Sequence, residues 1–313
     1  MAGRRNSSLV YGKIATCYIG QVLHLALALA LAADPPLGLD ARMPVPEDNP
    51  LTPEKVALGR RLFFDRRLSR DETVSCSSCH DPERAFSDGR VVAEGIQGRK
   101  GTRNAPALIN RGYGRSFFWD GRAPTLEKQV LEPIFNPKEM DLPLTEMEQR
   151  IGLTAAEVSR ALASYLRTIL SGDSPFDRYM KGDLSALSEQ QQRGLQIFRG
   201  DGNCYACHAG PNLADERFHN TGVAWVGGRL VDEGRGRGAF KTPTLREIAR
   251  TGPYMHDGSL ATLEDVIDYY DRGGNINPHL DEDIRPLRLS PEDKRALVAF
   301  LRSLSGQLSW GGR

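Results

Sequence analysis

Cys76-Ser77-Ser78-Cys79-His80 and Cys204-Tyr205-Ala206-Cys207-His208 are the residues of this 313-residue chain best equipped for chemistry. Two thiols separated by two residues can each add to one vinyl group of a porphyrin, and the histidine that follows is placed to bind the iron. Each motif therefore reads as a covalent c-type haem attachment. A four-cysteine zinc site would explain neither the paired histidines nor the long stretch of chain between the motifs. Two redox dithiols would leave the histidines equally idle. Two haem c groups are expected, fixed by Cys76, Cys79, Cys204 and Cys207, with His80 and His208 as proximal iron ligands.

The chain repeats itself around these motifs. Leu51-Thr52 leads to Gly59 and Leu62-Phe63, and Leu187-Ser188 leads to Gly194 and Ile197-Phe198. Thr52 and Ser188 are suited to cap a helix, with Pro53 or Glu189 in the first turn. Apolar spacing predicts further helices over 153–170, 262–270 and 290–304, the last through Leu297, Phe300, Leu301 and Leu304. Gly- and Pro-rich loops lie between, with no clear alternating strand pattern. The expected fold is all-α: two cytochrome c-like haem domains with long loops and little or no sheet. They are placed at residues 45–178 and 182–308.

Composition fits an exported globular chain. With 40% hydrophobic and 26% charged residues it can bury a core. The net charge of +1 shows no basic face for nucleic acid. Residues 1–32 read as a signal peptide: Arg4, Arg5 and Lys13 precede an apolar run that ends in a small-residue cleavage site at Ala30-Leu31-Ala32. The alternative is an uncleaved inner-membrane anchor. Cys17 belongs to this segment. Periplasmic location follows.

Arg103-Asn104-Ala105-Pro106 and Phe118-Trp119-Asp120-Gly121-Arg122 lie between the motifs, and Pro253-Tyr254-Met255-His256-Asp257-Gly258 follows the second. With them the chain, over about residues 50–306, resembles the bacterial di-haem cytochrome c peroxidases, the MauG branch included. The resemblance implies a peroxidatic haem in the first domain, an electron-transfer haem in the second and one calcium ion between them. It implies that Trp119 sits between the haems and that Glu139 is the distal acid/base, with Gln129 and Pro133 beside it. Read without the resemblance, the stretch from Glu127 to Glu139 is a polar surface segment. The calcium ligands it implies are the Asn104 side chain and the backbone carbonyls of Thr251 and Pro253. Arg103 and Arg246 are candidate partners for haem propionates, and His256, beside the calcium segment, is a candidate contact for the second haem or its propionates; His219 and His279 sit in loops without a partner pattern and read as structural or solvent-facing. Trp225 and Trp310 read as packing residues.

Three departures from the family pattern bear on function. No histidine lies between His80 and His208, so the loop 91–102, with Glu94 and Gln97 as its polar candidates, offers none to block the first haem; that haem is expected to be open or water-ligated at rest. The position of the second haem's axial methionine falls on Tyr270, as in the MauG branch, with Met255 as the alternative ligand. A phenolate favours oxidised iron where a thioether raises the potential. Gly202 stands where that branch carries a surface tryptophan.

The leading expectation is a periplasmic di-haem peroxidase. It reduces hydrogen peroxide at the first haem with electrons passed through the second, without reductive activation. The alternatives are a MauG-like peroxide-dependent oxidase that modifies a partner protein, and a non-catalytic di-haem electron carrier. The resemblance leaves the donor open between a small cytochrome c, a cupredoxin and a quinol-linked protein. Many family members are homodimers, a state on which this sequence carries no sign.

Overall fold

The computed structural model describes residues 35–311; the signal-peptide segment read at 1–32 lies outside them. The chain is mostly helical with three small two-stranded sheets, as the repeat pattern requires. Helix α1 (Pro53–Phe63) precedes a one-turn helix α2 (Cys76–Cys79) that carries the first motif. Two short helices follow, α3 (Leu126–Gln129) and α4 (Glu132–Phe135), then α5 (Leu144–Ile151) and α6 (Ala155–Leu166). After strand β1 (Leu170–Gly172) and helix α7 (Pro175–Met180), α8 (Glu189–Arg199) opens the second half. Strands β2 (Phe218–His219), β3 (Trp225–Val226), β4 (Arg229–Leu230) and β5 (Phe240–Lys241) sit in its loops. Helices α9 (Leu263–Asp271) and α10 (Pro291–Arg302) and strand β6 (Gln307–Ser309) complete the chain.

Both repeat units form as their caps direct. The Thr52 hydroxyl accepts from the Lys55 amide at the start of α1, and Ser188 accepts from the Gln191 amide at the start of α8. Each spends an oxygen on an otherwise unpaired first-turn N–H. α1 packs on α6 and α8 packs on α10, and the glycine shared by the two units explains how closely. A β-carbon on Gly59 would lie 1.9 Å from the Ala161 carbonyl oxygen, and one on Gly194 would lie 2.0 Å from that of Ala296. Only a residue without a side chain lets these backbones meet. Two apolar cores result. Leu62, Phe63, Phe86, Ile134, Met147, Leu162 and Tyr165 belong to the first, and Leu195, Phe198, Ile267, Leu297 and Phe300 to the second.

The tail crosses back. β6 pairs antiparallel with β1, Ser309 opposite Leu170, and Leu308 and Trp310 pack against the first core. Charged groups also join the halves. Arg103 forms a two-pronged pair with Asp232 (2.8 and 2.8 Å) and meets Asp120 at 2.7 Å. Glu216 accepts from Arg111 (2.9 Å) and from Lys241 (3.3 Å). Arg246, 2% exposed, clamps Asp177 with two nitrogens (2.8 and 3.0 Å) and donates also to the carbonyls of Pro211 and Gly38. Arg103 and Arg246, the sequence's candidates for haem propionates, are each paired with carboxylates here, as a buried charge requires.

Candidate functional site

Two matching cradles carry the chemistry. In the first, α2 turns Cys76 and Cys79 to one side and ends at His80, whose Nδ1–H donates to the Phe86 carbonyl at 3.1 Å. In the second, a 3₁₀ turn (Cys204–Ala206) ends before His208, whose Nδ1–H donates to the Leu213 carbonyl at 2.9 Å. Both acceptor residues have left-handed backbones, φ 58° at Phe86 and 51° at Leu213, and this conformation turns each carbonyl back toward its histidine. The bond fixes the tautomer and leaves Nε2 as the lone-pair donor, as metal-bound histidines require. Burial lowers both imidazoles, His80 to about 4, so each ring stays neutral and able to ligate.

None of the four motif cysteines forms a disulfide. Burial pushes Cys76 up to about 12, Cys79 up to about 11 and Cys204 up to about 12. Among the described residues no group of three or more His, Cys, Asp or Glu is placed to hold a metal ion, so the zinc reading has no ligand set. Unpaired thiols beside a neutral, oriented imidazole, twice over, fit covalent haem.

Glu139 follows α4, where its amide donates to the Asn136 carbonyl (2.9 Å) and its carboxylate accepts from the Asn136 amide group (2.6 Å). Burial raises its pKa against that hydrogen bond. Its negative charge is felt by both Cys76 and Cys79, which places the carboxyl at the first cradle. Pro133 supports the same turn through its carbonyl, which accepts from the Met140 amide at 3.1 Å; Gln129, at the end of α3, is half-buried. The loop 91–102 closes against Glu139: the Ile96 amide donates to the Glu139 carbonyl (2.8 Å), and a β-carbon on Gly95 would strike the Lys138 and Glu139 carbonyls at 2.3 Å. Of that loop's polar candidates, Gln97 accepts from Arg99, and the Glu94 backbone carbonyl lies 3.7 Å from the Cys79 sulfur.

Trp119 spans the two halves. Its Nε1–H donates to the Asn104 carbonyl (2.9 Å), and its own carbonyl accepts from the Lys241 amide (2.8 Å). Asn104 is held by its neighbours in turn. Its amide N–H donates to the His256 carbonyl (2.7 Å) and its side-chain Nδ2 to the Arg90 carbonyl (2.7 Å). His256, 5% exposed, stacks on Phe240 with ring centroids 3.6 Å apart.

At the second cradle α9 separates its two tyrosines. Tyr269 is buried and donates its hydroxyl to the Thr221 carbonyl (2.9 Å), a packing role. The ring of Tyr270 stands T-shaped to that of Tyr269, with centroids 5.5 Å apart. Burial holds its phenol well above the ordinary range, and Tyr269, Cys204 and Cys207 reinforce the shift against a hydrogen bond from Thr221. Its phenol is thus electrostatic neighbour to both cysteines of the second motif.

His219 is the residue that local reading missed. Rather than lying in a loop without partners, it sits on β2 with Nδ1 at 2.6 Å from Asp281 and Nε2 at 3.0 Å from Asp215. A hydrogen bond with Cys207, then those with Asp281 and Asp215, outweigh burial and hold its imidazolium up to about 10. Once the Cys207 sulfur is a thioether its contribution is lost, and only the two carboxylates oppose burial. Only the i, i+4 spacing of Asp215 and His219 was visible in sequence; Asp281 comes from a distant loop.

A twin set of thiol pairs and oriented histidines on a two-cored helical chain defines a di-haem c-type cytochrome. Its relatives narrow this. The family profile for di-haem cytochrome c peroxidase matches residues 53–185, and that for cytochrome c matches residues 191–305. The methylamine utilization protein MauG of Methylorubrum extorquens is 41% identical, with 85% of this chain and 82% of that protein aligned. The cytochrome-c peroxidase IdrP1 of Denitromonas iodatirespirans is 34% identical over 92% of this chain and 94% of its own. Among solved structures, a MauG-like protein associated with microbial copper homeostasis superposes with a TM-score of 0.79 at 35% identity, covering 88% of this chain and 95% of that one. The chain belongs to the di-haem cytochrome c peroxidase family, as a MauG-like peroxidase whose two cytochrome c domains carry covalently bound haem c.

Proposed function

We propose that the protein reduces hydrogen peroxide at the first cradle, with electrons reaching it through the second. The observation that carries this reading is a desolvated Glu139 carboxyl, its pKa raised by burial, beside Cys76 and Cys79. Haem c, when bound, supplies the redox chemistry of O–O cleavage. Glu139 accepts a proton from peroxide and returns it to the departing oxygen, so that two electrons and two further protons give two waters. Gln129 orients peroxide by hydrogen bonding and Pro133 holds the turn that aims Glu139. Trp119, anchored to both halves, is the bridge between the haems.

In this reading Tyr270, rather than Met255, would hold the iron of the second haem together with His208. A phenol so desolvated ionises only against a cation, which ferric iron provides. The proximity of Tyr270 to Cys204 and Cys207 also favours a second reading, a MauG-like oxidase that uses peroxide to modify a partner protein. The Asn104 side-chain oxygen and the Thr251 and Pro253 carbonyls would supply the hard oxygen ligands that calcium takes, and an ion there would tie the halves together. In this reading the protein works in the periplasm, supported by the signal-type pattern of residues 1–32. No helix of the described residues is long and apolar enough to cross a membrane.

Because loop 91–102 brings no imidazole to the first cradle, peroxide turnover by the fully oxidised holoprotein is expected to begin without a lag. Steady-state assays with and without one-electron pre-reduction check this. A lag abolished by pre-reduction would contradict the open first site.

A further inference from the structure

Behind the first cradle stands a cluster of aromatic side chains that the peroxidase reaction does not use. Phe86, whose carbonyl accepts from His80, packs edge-on against Trp310 with ring centroids 5.7 Å apart, and against Phe63 at 5.9 Å; Phe63 meets Tyr165 at 5.2 Å. Tyr165 is electrostatic neighbour to Cys76. The cluster therefore touches the first haem's attachment on two sides. It reaches the outside at Trp310, which is only partly buried. There a groove of about 380 Å³, lined by Ala57, Arg60, Arg61, Phe64 and Gly311, opens beside it.

Trp310 is held in this position from both flanks. Ser309 is in register with Leu170 in the β1–β6 pair, and the Gly311 amide donates to the Thr168 hydroxyl at 3.0 Å. The tail of a chain whose last helix belongs to the second core is thus brought across to the first. Packing alone would be served by any large apolar side chain.

We propose that Trp310 is an oxidisable outlet for the first haem site, drawing off oxidising equivalents when peroxide has reacted and no electron donor has arrived. This rests on the peroxidase reading above. In the step, Trp310 gives one electron to the oxidised haem site and its Nε1 proton to water, leaving a neutral indolyl radical; the oxidant is hydrogen peroxide, itself reduced to water. An external one-electron reductant and a proton then restore the indole.

The other rings of the cluster are poorly suited to this end point. The benzene rings of Phe63 and Phe86 are far harder to oxidise. The Tyr165 hydroxyl is buried with no hydrogen-bond partner, and burial raises it to about 12, so no base stands ready for the proton a phenol must lose. An indole can give up its electron first, and Trp310 is only partly buried.

The test treats the oxidised holoprotein with successive equivalents of hydrogen peroxide in the absence of donor, for wild type, Trp310→Phe and Trp310→Tyr. Freeze-quench electron paramagnetic resonance, peptide mass mapping and haem absorbance are read together. A tryptophan radical and oxygen-adduct formation at Trp310 are expected in wild type. In Trp310→Phe both should vanish and haem bleaching per peroxide should rise several-fold, while turnover with ample donor changes less than twofold. Trp310→Tyr, which restores an oxidisable ring with solvent access, should recover protection. Equal radical yield and equal bleaching in wild type and Trp310→Phe would overturn the inference alone. Failure of wild type to react with peroxide either before or after one-electron reduction would overturn the peroxidase reading and this inference with it.

Discussion

Replacing Glu139 with glutamine is expected to lower peroxide turnover by about 10²- to 10⁴-fold, the range that positioned proton transfer contributes, with haem content unchanged. The amide keeps an oxygen to accept the bond that Asn136 now donates to Glu139, so the turn that closes on Ile96 survives and only proton transfer is lost. The pH profile gives an independent signature. Peroxide must first lose a proton to the ionised carboxylate, so kcat/KM rises with pH through the Glu139 pKa. Burial raises that pKa, so the acid limb lies above the ordinary glutamate value of about 4.3. In Glu139→Gln the limb disappears. Turnover that is unchanged by the substitution would reassign the protein as an electron carrier.

The second large effect concerns Tyr270→Met. Axial ligands set haem potentials over a span of about 0.8 V, and exchanging an anionic phenolate for a thioether removes a donor that favours oxidised iron. The second haem's potential should rise by something on the order of 0.1 V or more, as read by spectroelectrochemistry. The reshaped haem should then also accept electrons more readily from a high-potential donor. Fold disturbance is small because Tyr269, whose hydroxyl holds the Thr221 carbonyl and accepts from the Asn275 amide, carries the packing of this end of α9. An unchanged potential would remove Tyr270 from the iron and return Met255 to consideration.

What could be read from the sequence was local. The spacing of Cys76, Cys79 and His80, the caps at Thr52 and Ser188, and the apolar stripe of α10 all lie within a few residues of the groups they control. Their consequences appear as expected, although the observed helices end short of the apolar runs. α6 closes at Leu166 before β1, and α10 closes at Arg302. The resemblance, rather than spacing, pointed to Glu139 and Tyr270, because a carboxylate or phenol acquires its chemistry from burial that no short pattern encodes. Long-range pairings stayed hidden for the same reason. Arg246 finds Asp177, His219 finds Asp281, and Trp310 reaches Phe86 only after the halves have packed. The left-handed turns at Phe86 and Leu213 were equally invisible, since neither residue type announces a positive φ.

The central claim is that the first haem is open to peroxide at rest, and that Glu139 and Tyr270 serve the two haems. Rapid mixing of the fully oxidised holoprotein with hydrogen peroxide, followed in the visible and near-infrared on the millisecond scale, tests it most directly. The account predicts immediate formation of a high-valent spectrum without added reductant. A spectrum that stays unchanged until one electron is supplied would contradict it.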